Sequence, residues 1–164
     1  MIIEALLAVT FLAALVVFVA PNAHAGKLAA ALSALPILGS LRMWAAYDAS
    51  GNALLGGEIA FETDVVWLTV GGLDLHWFVG VDGISLPLVV LTTVLTTLAI
   101  VSAWTPIGER QSQFYGLVLL MEANLLGVFT ALDFFAWFVF WEAVLVPMYF
   151  LIGVWGGPNR RYAA

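Results

Sequence analysis

Long apolar runs dominate the chain, broken by short polar steps and by one long acidic interval. The first run covers about residues 2–20 and is closed by Pro21-Asn22; the second covers about 28–47 and carries Pro36 and Arg42. A polar stretch follows over residues 48–82, and three further runs cover about 83–104, 113–132 and 134–155. Each is close to twenty residues long, enough for a helix to cross a hydrocarbon core of about 30 Å. The pattern therefore predicts an all-α integral membrane protein with about five transmembrane helices. Residues 1–164 read as a single membrane domain, because no polar segment is long enough to build a second one.

Within the polar stretch, Val65–Val70 and Leu73–Val79 are rich in β-branched and aromatic residues and flank Gly71-Gly72. Two such runs around a glycine pair predict a short β-hairpin in the loop between helices 2 and 3. His76 lies on that hairpin with Asp74, and an ordinary surface histidine is expected there.

Composition agrees. Of the 164 residues, 63% are apolar and only 10% charged, too few for the water-facing surface of a soluble domain. The absence of cysteine excludes disulfides, thiolate metal sites and iron–sulfur clusters held by this chain. His24 and His76 both fall in loops in this reading, which argues against a bis-histidine haem. Phosphate-binding glycine loops, dinucleotide fingerprints, zinc patterns and basic nucleic-acid patches are absent. No cofactor or metal is expected on the chain itself.

Charge sets the expected orientation. The 48–82 loop holds six acids, Asp48, Glu58, Glu62, Asp64, Asp74 and Asp82, and no Lys or Arg. Lys27, Arg110, Arg160 and Arg161 lie at the other ends of the spans. Basic loops stay in the cytoplasm, so the amino terminus and the hairpin are expected outside and the carboxyl end inside. Arg42, near the outer end of helix 2, can snorkel to the interface. Ala23-His24-Ala25 resembles a signal-peptide cleavage site, but the start carries Glu4 and no basic residue, and its apolar run is long. A retained first helix is expected.

The candidate chemistry lies in acids at membrane depth. Glu142 sits near the middle of FFAWFVFWEAVLVPMYFLIGVW, where a charged side chain costs about 2.5–3.5 kcal/mol even on lenient insertion scales. Such a residue is expected to turn toward the bundle interior. Removal from water disfavours the carboxylate, so the group can hold or release a proton. The bland reading is a protonated carboxyl that merely bonds a neighbouring helix. Pro147 removes an amide hydrogen and frees the carbonyl of Ala143, one residue after Glu142. Glu122 is the second intramembrane acid, at similar depth on the preceding helix, with a proton role and a packing role evenly weighed. Asp133 at the turn is a third candidate, although aspartate there also serves as a helix cap, as Asp82 does for helix 3. Thr92, Thr93, Thr96 and Thr97 read as a packing surface. Trp104, Tyr115, Trp155 and Tyr162 fit interfacial belts.

At VGVDGISLPL (79–88), and above all at GVFTALDFFAWFVFWEAVLVPMYFLIGVWGG (127–157), the chain resembles subunit M of NADH:quinone oxidoreductase, the antiporter-like, proton-pumping membrane subunit of respiratory complex I. The first two helices match only in character. The resemblance implies a subunit of about fourteen helices built on two inverted repeats of about five, each forming a proton half-channel. It makes Glu142 the essential glutamate of the first half-channel, which modulates a nearby lysine. Asp133 matches the acid of the family's ALD motif and Asp82 that of GVDGIS, while Glu122 falls at a more variable position.

The chain would then be the amino-terminal part of a longer subunit, without the partner lysines, the broken seventh helix or the second repeat, and by itself should not translocate protons. The implied complex uses quinone, iron–sulfur clusters and flavin or another electron-donor module on other subunits. The expected partners are other membrane subunits, the lipid bilayer and protons, with no nucleic acid. The implied site is a prokaryotic cell membrane, or the mitochondrial inner membrane in a eukaryote. Two alternatives remain: a multisubunit cation/proton antiporter or membrane-bound hydrogenase subunit, and a non-transporting membrane scaffold.

Overall fold

The computed structural model describes residues 1–50 and 58–163. The part of the polar loop at 51–57 lies outside the described residues. Among the described residues, five helices are long and apolar enough to cross a membrane: α1 (Ile2–Val19), α2 (Asn22–Ala49), α3 (Ser85–Ser102), α4 (Gln111–Thr130) and α5 (Phe134–Trp155). A short α6 (Arg160–Ala163) follows. Strands β1 (Ala60–Val70) and β2 (Leu73–Val81) form an antiparallel hairpin between α2 and α3. Helices satisfy their own backbone groups, which lipid cannot do, so runs of this length fold as helices.

Several expectations shift. Helix α5 has the bounds that the apolar run gave, and α3 and α4 differ by about one turn or less. Helix α2 is much longer than expected. It starts at Asn22, directly after Pro21, so His24 and Lys27 lie on its first turns and not in a loop. Both are exposed there. At 1.5 Å per residue its 28 residues span about 42 Å, which carries polar turns beyond a hydrocarbon core of about 30 Å. Pro36 is tolerated inside it and is buried.

Helix α4 is the centre of the bundle and packs against α1, α2, α3 and α5, whereas α5 packs chiefly on α4. Glycines set the closest approaches. A Cβ at Gly116 would meet the Phe18 ring at 2.8 Å, and one at Gly127 would run into the Phe140 ring. Phe18 and Phe140 thus lie flat on the α4 backbone, and α1 and α5 are drawn onto opposite ends of α4. Two apolar clusters result. One, at the hairpin end, joins Ile3, Leu7, Met43, Leu86, Leu126 and Phe140 with Val79 and Val81. The other, at the far end, is built on Ala14, Val17, Ala29, Ile100, Tyr115 and Leu119. Tyr115 is therefore a core residue, 1% exposed, and not part of an interfacial belt. The absent side chain of Gly26 leaves room for its ring.

Helices α2 and α3 are joined by hydroxyls. Ser40 and Thr93 hydrogen-bond at 3.0 Å, and Thr97 donates to the Ser33 carbonyl at 3.4 Å. The other threonine hydroxyl bonds of α3 return to the same helix, as at Thr92 to Leu88 O. The threonine-rich face of α3 is thus in part a packing surface.

The hairpin turns at Gly71 and Gly72, whose φ values of 60° and 87° suit a two-residue turn that favours glycine. Its second strand is fastened to the α4–α5 turn. The amide of Leu132 donates to Phe78 O at 2.9 Å, and Val79 forms a bridge with Ala131. Tyr47 at the end of α2 donates to Glu58 O at 3.1 Å. The hairpin is a cap across one end of the bundle.

Candidate functional site

The intramembrane acids lie at matching depth. Glu122 is eight residues from the end of α4 and Glu142 eight residues from the start of α5. At 1.5 Å per residue each is about 12 Å from the turn that joins the two helices. Their surroundings differ.

Glu122 is fully buried at the centre of the bundle, and neither carboxyl oxygen has a hydrogen-bond partner among the described residues. Glu142 is exposed. The buried positions of α5, Ala136, Phe140 and Pro147, mark its inward face, and at about 100° per residue Glu142 falls roughly 140° round from it. The expectation that Glu142 turns into this bundle is corrected. The reason is geometric: α5 contributes only one edge to the packing, and that edge is the one Gly127 accepts. The two carboxyls do not share a pocket.

The outward face of α5 is aromatic around Glu142. Trp137 stacks on Trp141 at 5.4 Å between ring centroids and on Phe134 at 5.9 Å. Trp141 is 51% exposed. Pro147, one turn beyond Glu142, is buried, and the helix continues through it to Trp155.

Asp133 caps α5. Its Oδ1 accepts from the amides of Phe135 at 2.9 Å and Ala136 at 3.0 Å, which satisfies two of the amides a helix start leaves open. Asp82 does the same before α3, accepting from Ser85 N at 2.7 Å and Ile84 N at 3.0 Å. The Ser85 hydroxyl accepts in return from the Asp82 amide at 2.9 Å, the reciprocal pattern of a capping box. The Ser85 amide, and then the Ile84 amide, hold the Asp82 carboxyl below the usual carboxylate range against partial desolvation.

On the hairpin, His76 Nδ1 lies 2.6 Å from Asp64 Oδ1. Asp74, two residues before His76, lies on the same face of β2. In the structure Asp74 accepts instead from the Thr69 hydroxyl at 2.7 Å, because the register places Thr69 opposite Asp74. The hydrogen bond with Asp64 raises the pKa of His76 above the ordinary imidazole value. Partial desolvation opposes the rise, and the charges of Asp64, Asp74 and Asp133 reinforce it.

No family model matches the chain. It is 48% identical over 101 residues to the chloroplastic NAD(P)H-quinone oxidoreductase chain 4 of Chaetosphaeridium globosum, covering 62% of this chain and 19% of that protein. It is 37% identical over 134 residues to the F(420)H(2) dehydrogenase subunit M of Methanosarcina mazei, covering 81% of this chain and 26% of that protein. In structure it matches a chain of respiratory complex I from Thermus thermophilus with a TM-score of 0.76 and 26% identity, covering 99% of this chain and 31% of that one. The chain thus spans about a fifth to a quarter of the length of the curated relatives it matches. By sequence and by fold it is a multi-pass membrane protein homologous to part of the chain 4 and subunit M proteins of membrane-bound respiratory complexes.

Proposed function

We propose that this chain supplies part of a proton path in a membrane subunit of a quinone-linked respiratory complex, coupling electron transfer on other subunits to proton movement. The observation that carries the reading is the position of Glu142: an ionisable carboxyl about 12 Å inside a membrane helix, on a face that the other helices leave uncovered. A charge presented to hydrocarbon at that depth is costly. The face is accordingly covered in the assembly, by further helices of a longer polypeptide or by a neighbouring subunit. A lysine on the covering helix, as the resemblance implies, would stabilise the carboxylate; its displacement would let Glu142 take up a proton, and its return would drive that proton off. Glu122 is a second acid inside the bundle, buried without a hydrogen-bond partner among the described residues, and serves as an internal proton holder on the same path. Asp133 contributes through its cap, which fixes the start of α5 and with it the depth of Glu142.

In this reading the chain itself carries no redox group. Quinone, iron–sulfur clusters and flavin or another donor module belong to other subunits, and the protein is a non-redox part of the translocase. The acidic hairpin side faces outward and the basic ends inward.

The test is Glu142→Gln in the full-length complex, reconstituted in sealed vesicles. Donor oxidation by quinone and acidification of the vesicle lumen are followed together. The rate of proton delivery is expected to fall about a hundredfold or more with assembly retained, since a proton-transferring side chain typically contributes about 10²–10⁴-fold. Unchanged delivery in a fully assembled complex would leave Glu142 with a packing role.

A further inference from the structure

Helices α1 and α2 enclose an open groove of about 480 Å³, lined by Ile2, Leu6, Val9, Leu35, Gly39 and Arg42, with the first residue at its rim. Its volume is in the range of sites that hold small ligands, roughly 300–1,000 Å³. The groove has a direction. Val9 lies seven residues into α1 from Ile2, and Leu35 seven residues before Arg42 on α2. Both mark its deep end, about 10 Å below the mouth. The deep part is wholly apolar, and the single cationic side chain of its wall stands at the mouth.

Gly39 keeps the floor low, since a Cβ there would meet Leu6 Cδ1 at 2.9 Å. Leu35 is 46% exposed and Val9 37% exposed, so the groove opens sideways, where lipid lies.

Arg42 is exposed, and among the described residues it makes no hydrogen bond or ion pair through its side chain. The nearest acid on α1, Glu4, is engaged by the amino terminus. Arg42 stands seven residues before the end of α2, about 10 Å along the axis. For a 28-residue helix centred in the bilayer, that is within a turn of the hydrocarbon edge, and the long stem brings the guanidinium to phosphate level. It is also the basic residue on the hairpin half of the spans, where the loop is acidic, so the positive-inside pattern does not explain it.

Apolar depth, a cationic mouth and a lateral opening match one molecule: an anionic phospholipid of the hairpin-side leaflet. We propose that the α1–α2 groove is a binding site for such a lipid, with one hydrocarbon chain laid along Val9 and Leu35 and the phosphate held by Arg42. Arginine suits the task because its planar fork binds two phosphate oxygens at once. The lipid covers the open side of the groove beside the close Gly39–Leu6 contact.

The test uses the intact protein in its native assembly, reconstituted in bilayers that contain phosphatidylglycerol or phosphatidylcholine with a photoactivatable group in the chain. Labelled peptides are then mapped. Phosphatidylglycerol is expected to label α1 and α2 at the groove about tenfold more than phosphatidylcholine, because both offer a phosphate but only phosphatidylglycerol keeps a net negative charge beside Arg42, whereas the choline ammonium cancels it and repels the guanidinium. Arg42→Gln should erase that difference, Arg42→Lys should keep most of it, and Leu35→Trp, which fills the groove, should abolish labelling by either lipid. Equal labelling by the two lipids in the unsubstituted protein would overturn the proposal, as would labelling unaffected by Arg42→Gln or cross-linking of the groove to a neighbouring protein helix. If Arg42→Gln does not assemble, the lipid comparison in the unsubstituted protein and Arg42→Lys decides alone.

Discussion

Replacing Gly127 with alanine tests how α5 is held. The new Cβ would lie well inside contact distance of three carbons of the Phe140 ring. That ring is 8% exposed, and Trp77 stands edge-on to it with centroids 5.9 Å apart, so it has little room to retreat. Overpacking of this kind costs about 1–3 kcal/mol. The helix gains back up to roughly 1 kcal/mol when alanine replaces glycine. The net expectation is a loss of up to about 2 kcal/mol. Phe140→Ala alone removes a buried ring and should cost about 3–5 kcal/mol. In the double variant the methyl group enters the space the ring vacates, so the overpacking cost disappears and the helix gain remains. The two changes should therefore couple favourably by about 1–3 kcal/mol. Unfolding of the full-length protein in mixed micelles, titrated with a denaturing detergent, measures all four corners of the cycle. Additivity within about 0.5 kcal/mol would show that Gly127 does not seat Phe140 and that the α4–α5 packing described above is wrong.

Asp133→Ala removes the cap of α5 and should cost about 1 kcal/mol, seen as a lower unfolding midpoint, whereas Asp133→Asn should cost less because its side-chain oxygen still accepts. Because the folded-state pKa of His76 is raised, its pairing with Asp64 supports the hairpin at pH below the unfolded imidazole range and is lost as pH rises through the folded value. Hydrogen exchange in β1 and β2 should therefore quicken across that window beyond its intrinsic trend, and His76→Gln should show no such step. Glu122→Met replaces an unpartnered buried carboxyl with an apolar chain of similar length and should raise thermal stability by about 1–3 kcal/mol while lowering proton delivery. Destabilisation by that variant would mean that the carboxyl is held by partners and belongs to the packing.

Much of this architecture was legible because membrane helices announce themselves by length and lack of charge. The bounds of α5 match those of the apolar run that begins after Asp133. The hairpin followed from Gly71-Gly72 between β-prone runs. The start of α2 did not, because Asn22-Ala23-His24 looks like loop sequence although Pro21 presets a helical entry. Which way the acids face was hidden for a different reason. Both α4 and α5 are apolar on nearly every side, since lipid and protein interior ask for similar side chains, so no polar stripe points outward. The small-residue positions held the missing information. Gly116 and Gly127 mark where Phe18 and Phe140 lie down, and once Phe140 is inward Glu142 must be outward. The Ser40–Thr93 bond and the Arg42 groove depend on which faces of α1, α2 and α3 meet, and nothing local in the sequence reports that.

The central claim is that the Glu142 carboxyl changes its protonation during turnover. Infrared difference spectroscopy of the full-length complex, recorded between resting and donor-reduced states in the presence of quinone, reads this directly. The account predicts a carboxylic C=O band that appears or vanishes on turnover, shifts in D₂O and is missing from Glu142→Gln. A difference spectrum that is identical in that variant, in a complex that still turns over, would contradict it.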